Sequence, residues 1–158
     1  MVKWMWISGA VLLLDQCTKL LADAMLAAHE SVVLLPVLAL RKAYNSGAAF
    51  SFLSDASGWQ RWFFVVLAVV IILVLVAWLR RLPAGQVRTA WSLSLILGGA
   101  AGNLIDRVIY GHVIDFIDVY YGSWHWPTFN VADSAIFVGA FLLLLDAFIG
   151  GREDKAAA

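Results

Sequence analysis

Four long apolar stretches, separated by shorter polar segments, dominate the pattern of this chain. In order, they cover residues of about 4–25, 60–79, 89–107 and 128–149. Each has close to the length of about 20 residues that an α-helix needs to cross a bilayer. The first differs from the others because Asp15, Lys19 and Asp23 interrupt it. The pattern predicts an all-α membrane protein with four transmembrane helices in one integral membrane domain, residues 1–158.

Two longer segments between these stretches have a different pattern. Residues of about 26–58 contain β-prone runs at 31–40 and 50–53, together with the turn-forming sequence Asn45-Ser46-Gly47. Residues of about 109–127 carry two glycines and a proline, which favour loops. Because these segments follow the first and the third helix, we expect both to lie outside the bilayer on the same side.

Composition excludes several classes of protein. Hydrophobic residues make up 63% of the chain and charged residues only 14%, whereas a soluble domain has roughly 45–50% and 25%. The net charge is zero, so nothing favours a nucleic acid as partner. The single cysteine, Cys17, cannot form an internal disulfide, and the three histidines lack metal-ligand spacing. We interpret the histidines as loop or interfacial residues.

Lysine and arginine residues predict the orientation. Those in the short flanks number six on the side of the N-terminus and three on the other side, which favours a cytoplasmic location for both termini. The first stretch also resembles a cleavable signal peptide, but Asp15, Gln16 and Lys19 lie where a neutral approach to the cleavage site is typical. We therefore expect an uncleaved first helix.

Polar residues of the predicted spans converge on the outer leaflet in this orientation. The sets that share a helix face are Asp15 with Lys19 and Asp23, Asn103 with Asp106 and Arg107, and Asn130 with Asp133. Ionisable groups in a membrane are costly and often functional. The alternative for each set is a structural ion pair or a polar contact between helices. Gly98 and Gly102 are spaced for close helix packing.

Asp115 and Asp133 differ from the other acids because neither has a lysine or arginine within four positions. Two such acids brought together would raise one another's proton affinity, so that one carries a proton while the other is ionised. Such a pair can activate water against an amide carbonyl. The alternative is that both are solvated loop acids, and spacing alone leaves the two interpretations open. Asp146 is interpreted as interfacial.

Five blocks of sequence resemble, in order, the motifs of the lipoprotein signal peptidase family, the bacterial type II signal peptidases. They are DQCTK at 15–19, NSGAAFS at 45–51, GGAAGNLIDR at 98–107, GHVIDF at 111–116 and FNVADS at 129–134. The resemblance implies a membrane aspartyl endopeptidase whose catalytic aspartates are Asp115 and Asp133. The family's other motif residues, which position substrate or support the pair, fall on Asp15, Asn45, Gly99, Asn103, Asp106, Arg107, Asn130 and Ala132. Cys17 and Asp118 are assigned no role.

The resemblance also implies an architecture and a substrate. Four transmembrane helices would carry a small extracytoplasmic β-cradle around residues 31–55 and a short periplasmic helix near residues 109–122. The enzyme would lie in the bacterial inner membrane with its site on the periplasmic side, and it would remove the signal peptide of prolipoproteins before the diacylglyceryl-modified cysteine. Its partners would be these substrates and membrane lipid. No metal or organic cofactor is implied, and we expect a monomer.

Two other functions remain as alternatives. A small transporter could use the acids as proton or cation sites, but it predicts ionisable groups near the bilayer midplane with access from both sides. A structural assembly protein would leave the outer aspartates dispensable.

Overall fold

Four long helices form the body of the protein. The computed structural model describes residues 2–27, 30–47 and 58–156. A 3₁₀ turn at Val2–Trp4 precedes the helices, which are α1 (Met5–Met25), α2 (Trp59–Arg81), α3 (Val87–Ile109) and α4 (Val131–Ala156). Each contains a segment long and apolar enough to cross a membrane, in α4 over Val131–Phe148. The four helices expected from the apolar pattern are confirmed.

α3 is the central helix, because glycines allow its neighbours to approach closely. A Cβ atom at Gly98 would lie 2.7 Å from the carbonyl oxygen of Ser8 in α1, and one at Gly99 would collide with the carbonyl oxygen of Ala132 in α4. A Cβ at Gly102 would collide with the carboxylate of Asp15. The predicted close packing at Gly98 and Gly102 is therefore confirmed, and Gly99 allows α4 to approach α3 beside α1.

α2 contacts the rest of the protein mainly through its second half. Leu75 and Leu79 of α2 pack with Ala90, Leu93 and Leu97 of α3 in a buried cluster. The remaining surface of α2 is rich in exposed apolar side chains, a pattern typical of a helix that faces lipid.

A four-stranded antiparallel sheet joins the segments that follow α1 and α3. Its strands are β1 (Ser31–Leu35), β2 (Leu38–Asn45), β3 (Val113–Tyr121) and β4 (Trp124–His125), and they lie in that order across the sheet. β1 and β2 form a hairpin within the expected cradle segment. The β-prone run at 50–53 lies outside the described residues.

The short helix expected near residues 109–122 is wrong, because β3 occupies that part of the chain. β3 is rich in valine, isoleucine and aromatic residues, which favour a strand. Its backbone groups are satisfied by pairing with β2, where Asp115 is opposite Ala43 and Val113 is opposite Asn45. The description as an all-α protein is correspondingly too narrow.

Candidate active site

Asp115 lies in the centre of the sheet and is almost fully buried, with 2% of its surface exposed. Both of its carboxylate oxygens accept hydrogen bonds from amide side chains. Asn45 Nδ2, on β2, donates to Oδ2 at 3.0 Å, and Asn130 Nδ2, just before α4, donates to Oδ1 at 2.7 Å. The β2–β3 register brings Asn45 to this carboxylate across 70 residues of sequence.

Asp133 is placed by the start of α4. The side chain of Asn130 accepts from the backbone N–H of Asp133 at 2.8 Å, and Asp133 Oδ2 accepts from the backbone N–H of Asn130 at 3.3 Å. This reciprocal pattern is a capping box, which stabilises the first turn of a helix. Asn103 Nδ2, on α3, donates to Asp133 Oδ1 at 2.7 Å. Asp133 is half-buried, so one edge of its carboxylate remains accessible.

Asn130 therefore contacts both acids, and the structure brings the two together as the dyad interpretation requires. Burial raises the pKa of Asp115 to about 7, and the nearby negative charge of Asp133 contributes in the same direction. Among the described residues, the side-chain donors to the carboxylate of Asp115 are the amides of Asn45 and Asn130. At neutral pH such a pair can hold one proton in common, and it then offers an acid beside a base.

A second cluster of charges lies beneath the dyad. The ammonium group of Lys19 is 1% exposed and contacts three acceptors: Asp15 at 2.8 Å, Asp106 at 2.9 Å and the side-chain oxygen of Asn103 at 2.8 Å. These contacts use all three of its protons. Since Asn103 turns its oxygen to Lys19, its Nδ2 faces Asp133. The predicted structural pair of Asp15 and Lys19 is confirmed.

Asp15 and Asp106 also hold the backbone on either side of the dyad. Asp15 Oδ1 accepts from the backbone N–H of Ala132 at 2.9 Å, one residue before Asp133. Asp106 Oδ2 accepts from the backbone N–H of Ile114 at 3.2 Å, one residue before Asp115. Each acid thus anchors the residue that precedes a member of the dyad.

Two expected local contacts differ in the structure. Among the described residues, no ion pair joins Asp106 to Arg107, and Asp106 pairs with Lys19 instead. Within the described part of the chain, no ion pair or hydrogen bond joins Asp23 to Lys19; Asp23 accepts from Tyr44 at 2.6 Å and pairs with Lys42 at 3.3 Å, both on β2. Residues on one helix face were therefore divided between two networks, because the sheet supplies closer partners.

Arg107 approaches the dyad from α3. Its guanidinium group donates to the backbone oxygens of Gly47 at 3.2 Å and Asn103 at 3.3 Å, and it lies 5.3 Å from the ring of Phe64 in α2. It thereby connects the end of β2 to α3. Its side chain also lines the groove that contains both acids.

That groove has a volume of about 1150 Å³. Asp115 and Asp133 line it together with Asn45, Asn103 and Arg107. Apolar side chains of α4 line one part of it, and polar residues of the sheet line another. Five motif residues are not among those that line the groove and instead contact the residues that do, or the neighbours of those residues in sequence: Asp15, Gly99, Asp106, Asn130 and Ala132. Across the described part of the chain, no group of three or more His, Cys, Asp or Glu side chains is placed to hold a metal ion.

Sequence reasoning missed three residues at this site. Lys19 was noted as an ionisable residue of the first span but was not among the candidate site residues. A lysine within a membrane span and beside a motif acid in sequence is itself a signal of a functional site. Asp118 was assigned no role, yet it is fully buried and 2.9 Å from the ring of His125. The turn at Gly122-Ser123 between them could have indicated the hairpin that joins them.

The fold and site together define a class: a multi-pass membrane protein with a paired-carboxylate groove at one end of its helices. Comparison with known proteins gives the family. The family model described as signal peptidase (SPase) II matches residues 7–149. The chain therefore belongs to the signal peptidase II family.

Individual relatives agree with this assignment. A lipoprotein signal peptidase of Pseudomonas paraeruginosa is 50% identical over 158 residues, which cover 99% of this chain and 94% of the relative. One from Pseudoalteromonas translucida is 52% identical, with 97% and 93% covered. A solved structure described as a bacterial membrane enzyme superposes with a TM-score of 0.86 at 29% identity, and the match covers 98% of this chain and 92% of that one.

Proposed function

We propose that Asp115 and Asp133 carry out the hydrolysis by which this chain, an aspartic endopeptidase of the signal peptidase II family, removes signal peptides from prolipoproteins. The observation that carries the assignment is the position of Asn130. Its side chain bonds to Asp115 and caps the helix turn that holds Asp133, so both acids face one groove. Neither acid of this pair lies at mid-span, since Asp115 is in β3 and Asp133 is in the first turn of α4. The geometry therefore does not favour a transporter that uses them from both sides of the membrane.

The chemistry follows from one shared proton. The ionised aspartate takes a proton from water while the water oxygen attacks the scissile carbonyl carbon, and the protonated aspartate gives its proton to the carbonyl oxygen. Collapse of the tetrahedral intermediate returns that proton and breaks the C–N bond, and the leaving nitrogen takes the proton that came from water. Each aspartate thus ends in its initial state. No metal or organic cofactor takes part in these steps.

The supporting residues have distinct roles in this proposal. Asn45, Asn103 and Asn130 donate to the two carboxylates, and Arg107 faces the groove as a cation for the substrate carbonyl. Asp15 and Asp106 hold the backbone before each catalytic residue. Gly99 and Ala132 allow α3 and α4 to meet closely enough for Asn103 to reach Asp133.

The membrane gives the site its substrate geometry. We place the enzyme in the bacterial inner membrane as one domain and one monomer, with both termini cytoplasmic and the dyad near the periplasmic surface. The support is the excess of lysine and arginine on the side of the termini. A diacylglyceryl-modified cysteine is anchored at the headgroup level, so its preceding peptide bond arrives at the depth of the dyad. Such alignment lowers the entropic part of the barrier.

The direct test is cleavage of a diacylglyceryl-modified prolipoprotein by the purified protein. We expect cleavage by the parent, and a fall in kcat of at least about 10³-fold for Asp115→Asn and for Asp133→Asn. Asp146→Asn is the matched control, because Asp146 lies at the far end of α4, where it accepts from Thr89 at 2.7 Å. Substantial turnover by either dyad variant, in folded protein, would remove that residue from the mechanism.

A further inference from the structure

Another buried acid, Asp118, lies on β3 three residues after Asp115. Asp118 has no exposed surface, and both of its oxygens lie 2.9 Å from His125 Nδ1 on β4. Arg41 Nε, on β2, lies 3.9 Å from Asp118 Oδ2. Arg41 and His125 are each close to half exposed, at 45% and 43%. The buried carboxylate therefore holds two accessible side chains from two different strands.

Two contacts with Tyr120 fix the orientation of His125. Its backbone pairs with Tyr120 of β3, and its ring stacks on the Tyr120 ring with centroids 5.4 Å apart and planes 21° apart. In a neutral ring that donates through Nδ1 to the carboxylate of Asp118, Nε2 is a hydrogen-bond acceptor. Arg41, by contrast, has only donors. In that form of the ring, Asp118 holds one side chain with an acceptor and one with donors.

Both side chains line the groove of the dyad. Asp118 follows Asp115 by three residues on β3, which corresponds to about 10 Å between Cα atoms of an extended strand. Side chains three positions apart point to opposite faces of a strand, so Asp118 acts on the groove through Arg41 and His125, which line it. In the other direction the groove is lined by Ile136, Phe137 and Ala140, which lie on α4 beyond Asp133. The groove is therefore apolar along the transmembrane helix and polar along the sheet.

We propose that Arg41 and His125 form a substrate subsite that binds the peptide backbone of the polar segment following the modified cysteine, and that Asp118 is the positioning residue for both. An extended backbone presents N–H and C=O groups in alternation, which match the acceptor Nε2 and the donor guanidinium. The distance of about 10 Å corresponds to roughly three residues beyond the scissile bond. This inference rests on the proposed function.

A purely structural role for the Asp118–His125 pair predicts a different result. β4 has only two residues, so the pair also connects it to β3. Loss of that connection would lower stability and would impair the cleavage of every substrate equally. A substrate subsite instead affects only those substrates that reach it.

The experiment uses the full-length protein and two synthetic substrates with the same signal peptide and the same diacylglyceryl-modified cysteine. One ends at the cysteine as an amide, and the other continues for six polar, uncharged residues. We expect the parent to have a KM for the longer substrate about five- to tenfold lower, as one or two hydrogen bonds provide. Arg41→Ala and His125→Ala should lose most of this difference, with the change in KM rather than in kcat. His125→Gln, which keeps a side-chain acceptor, should recover part of it.

Control variants distinguish loss of the subsite from unfolding and from a general effect on β4. Trp124→Ala alters the same short strand at a residue outside the described groove lining and should retain the KM difference. If His125→Ala is unfolded, Arg41→Ala still decides, because Arg41 is exposed and its Nε is 3.9 Å from Asp118. Equal KM values in the parent, or a retained difference in folded Arg41→Ala, would overturn the subsite. If the parent cleaves neither substrate, the proposed function itself fails.

Discussion

Two pairs of aspartates lie close together in the fold and have different partners. Asp15 and Asp106 share the ammonium group of Lys19, at 2.8 and 2.9 Å. Asp115 and Asp133 are contacted by amide groups of Asn45, Asn103 and Asn130. A buried carboxylate that contacts a cation has a partner for its charge and serves as an anchor. Asp115 has amide side chains as hydrogen-bond partners, and burial raises its pKa to about 7, so it retains affinity for a proton and is suited to acid–base chemistry.

The largest effect on stability should come from removing the cation. Lys19→Met leaves two buried carboxylates without a counter-charge, and the loss of one partner from a buried ion pair typically costs about 3–5 kcal/mol. We expect a strongly lowered thermal unfolding temperature in detergent. Lys42→Met is the matched control, since its partner Asp23 is 40% exposed, and it should cost about 1 kcal/mol or less. Equal losses in the two variants would contradict the comparison.

Removing Asp115 should raise the free energy of unfolding at alkaline pH, whereas removing Lys19 should lower it. The pKa of Asp115 is raised to about 7 in the fold, against about 3.9 in an unfolded chain. The native state therefore holds more protons between pH 4 and 7, and stability falls as pH rises through that range. Asp115→Asn should abolish this loss and be more stable than the parent at pH 8 by about 2–4 kcal/mol. The gain should vanish near pH 4, as thermal unfolding at both pH values will show.

The close approach of α3 and α4 can be tested with one methyl group. Gly99→Ala places a Cβ against the carbonyl oxygen of Ala132, and overpacking of this kind costs about 1–3 kcal/mol. We also expect lower kcat, because Asn103 would be moved from Asp133. Gly9→Ala in α1 is the control, since its Cβ would meet no atom within 4 Å. If Gly99→Ala matches that control in Tm and kcat, the site does not depend on this contact.

The pH dependence of turnover tests the shared proton. Because the dyad needs one proton, we expect kcat/KM to fall on the alkaline side once Asp115 loses its proton, with an apparent pKa near 7 in the free enzyme. The slope should approach tenfold per pH unit. The value belongs to the pair rather than to one residue. A rate that is constant from pH 6 to pH 9 in folded protein would exclude the shared proton.

Part of this arrangement was predictable from local sequence. The four helices follow from apolar stretches long enough to span a bilayer, and the pair Asp15–Lys19 follows from its i, i+4 spacing. Spacing alone left Asp115 and Asp133 as a dyad or as solvated acids. Resemblance to a family through five ordered motifs implied that they are the catalytic pair, and in the structure the side chain of Asn130 donates to Asp115 and accepts from the backbone N–H of Asp133.

Other features could not be predicted because they depend on distant partners. Residues 113–121 contain a motif that resemblance assigned to a short helix, but they pair with β2 because an antiparallel edge was available there. Asp23 shares a helix face with Lys19 yet bonds to Tyr44 of β2. Asp118 and His125 had no motif to mark them, and only the turn between β3 and β4 brings them into contact.

The sequence by itself determined that this is a membrane protein and which side chains it has for the site. Apolar stretches set the number of helices, and the motifs contain two acids with no lysine or arginine nearby in sequence. These are properties of short segments, where length and spacing suffice. Only the tertiary structure decided which acids keep a counter-charge. Lys19 reaches Asp106 but not Asp133, because Asn103 stands between them with its oxygen toward the lysine and its nitrogen toward the acid. That arrangement needs α1, α3 and α4 in contact.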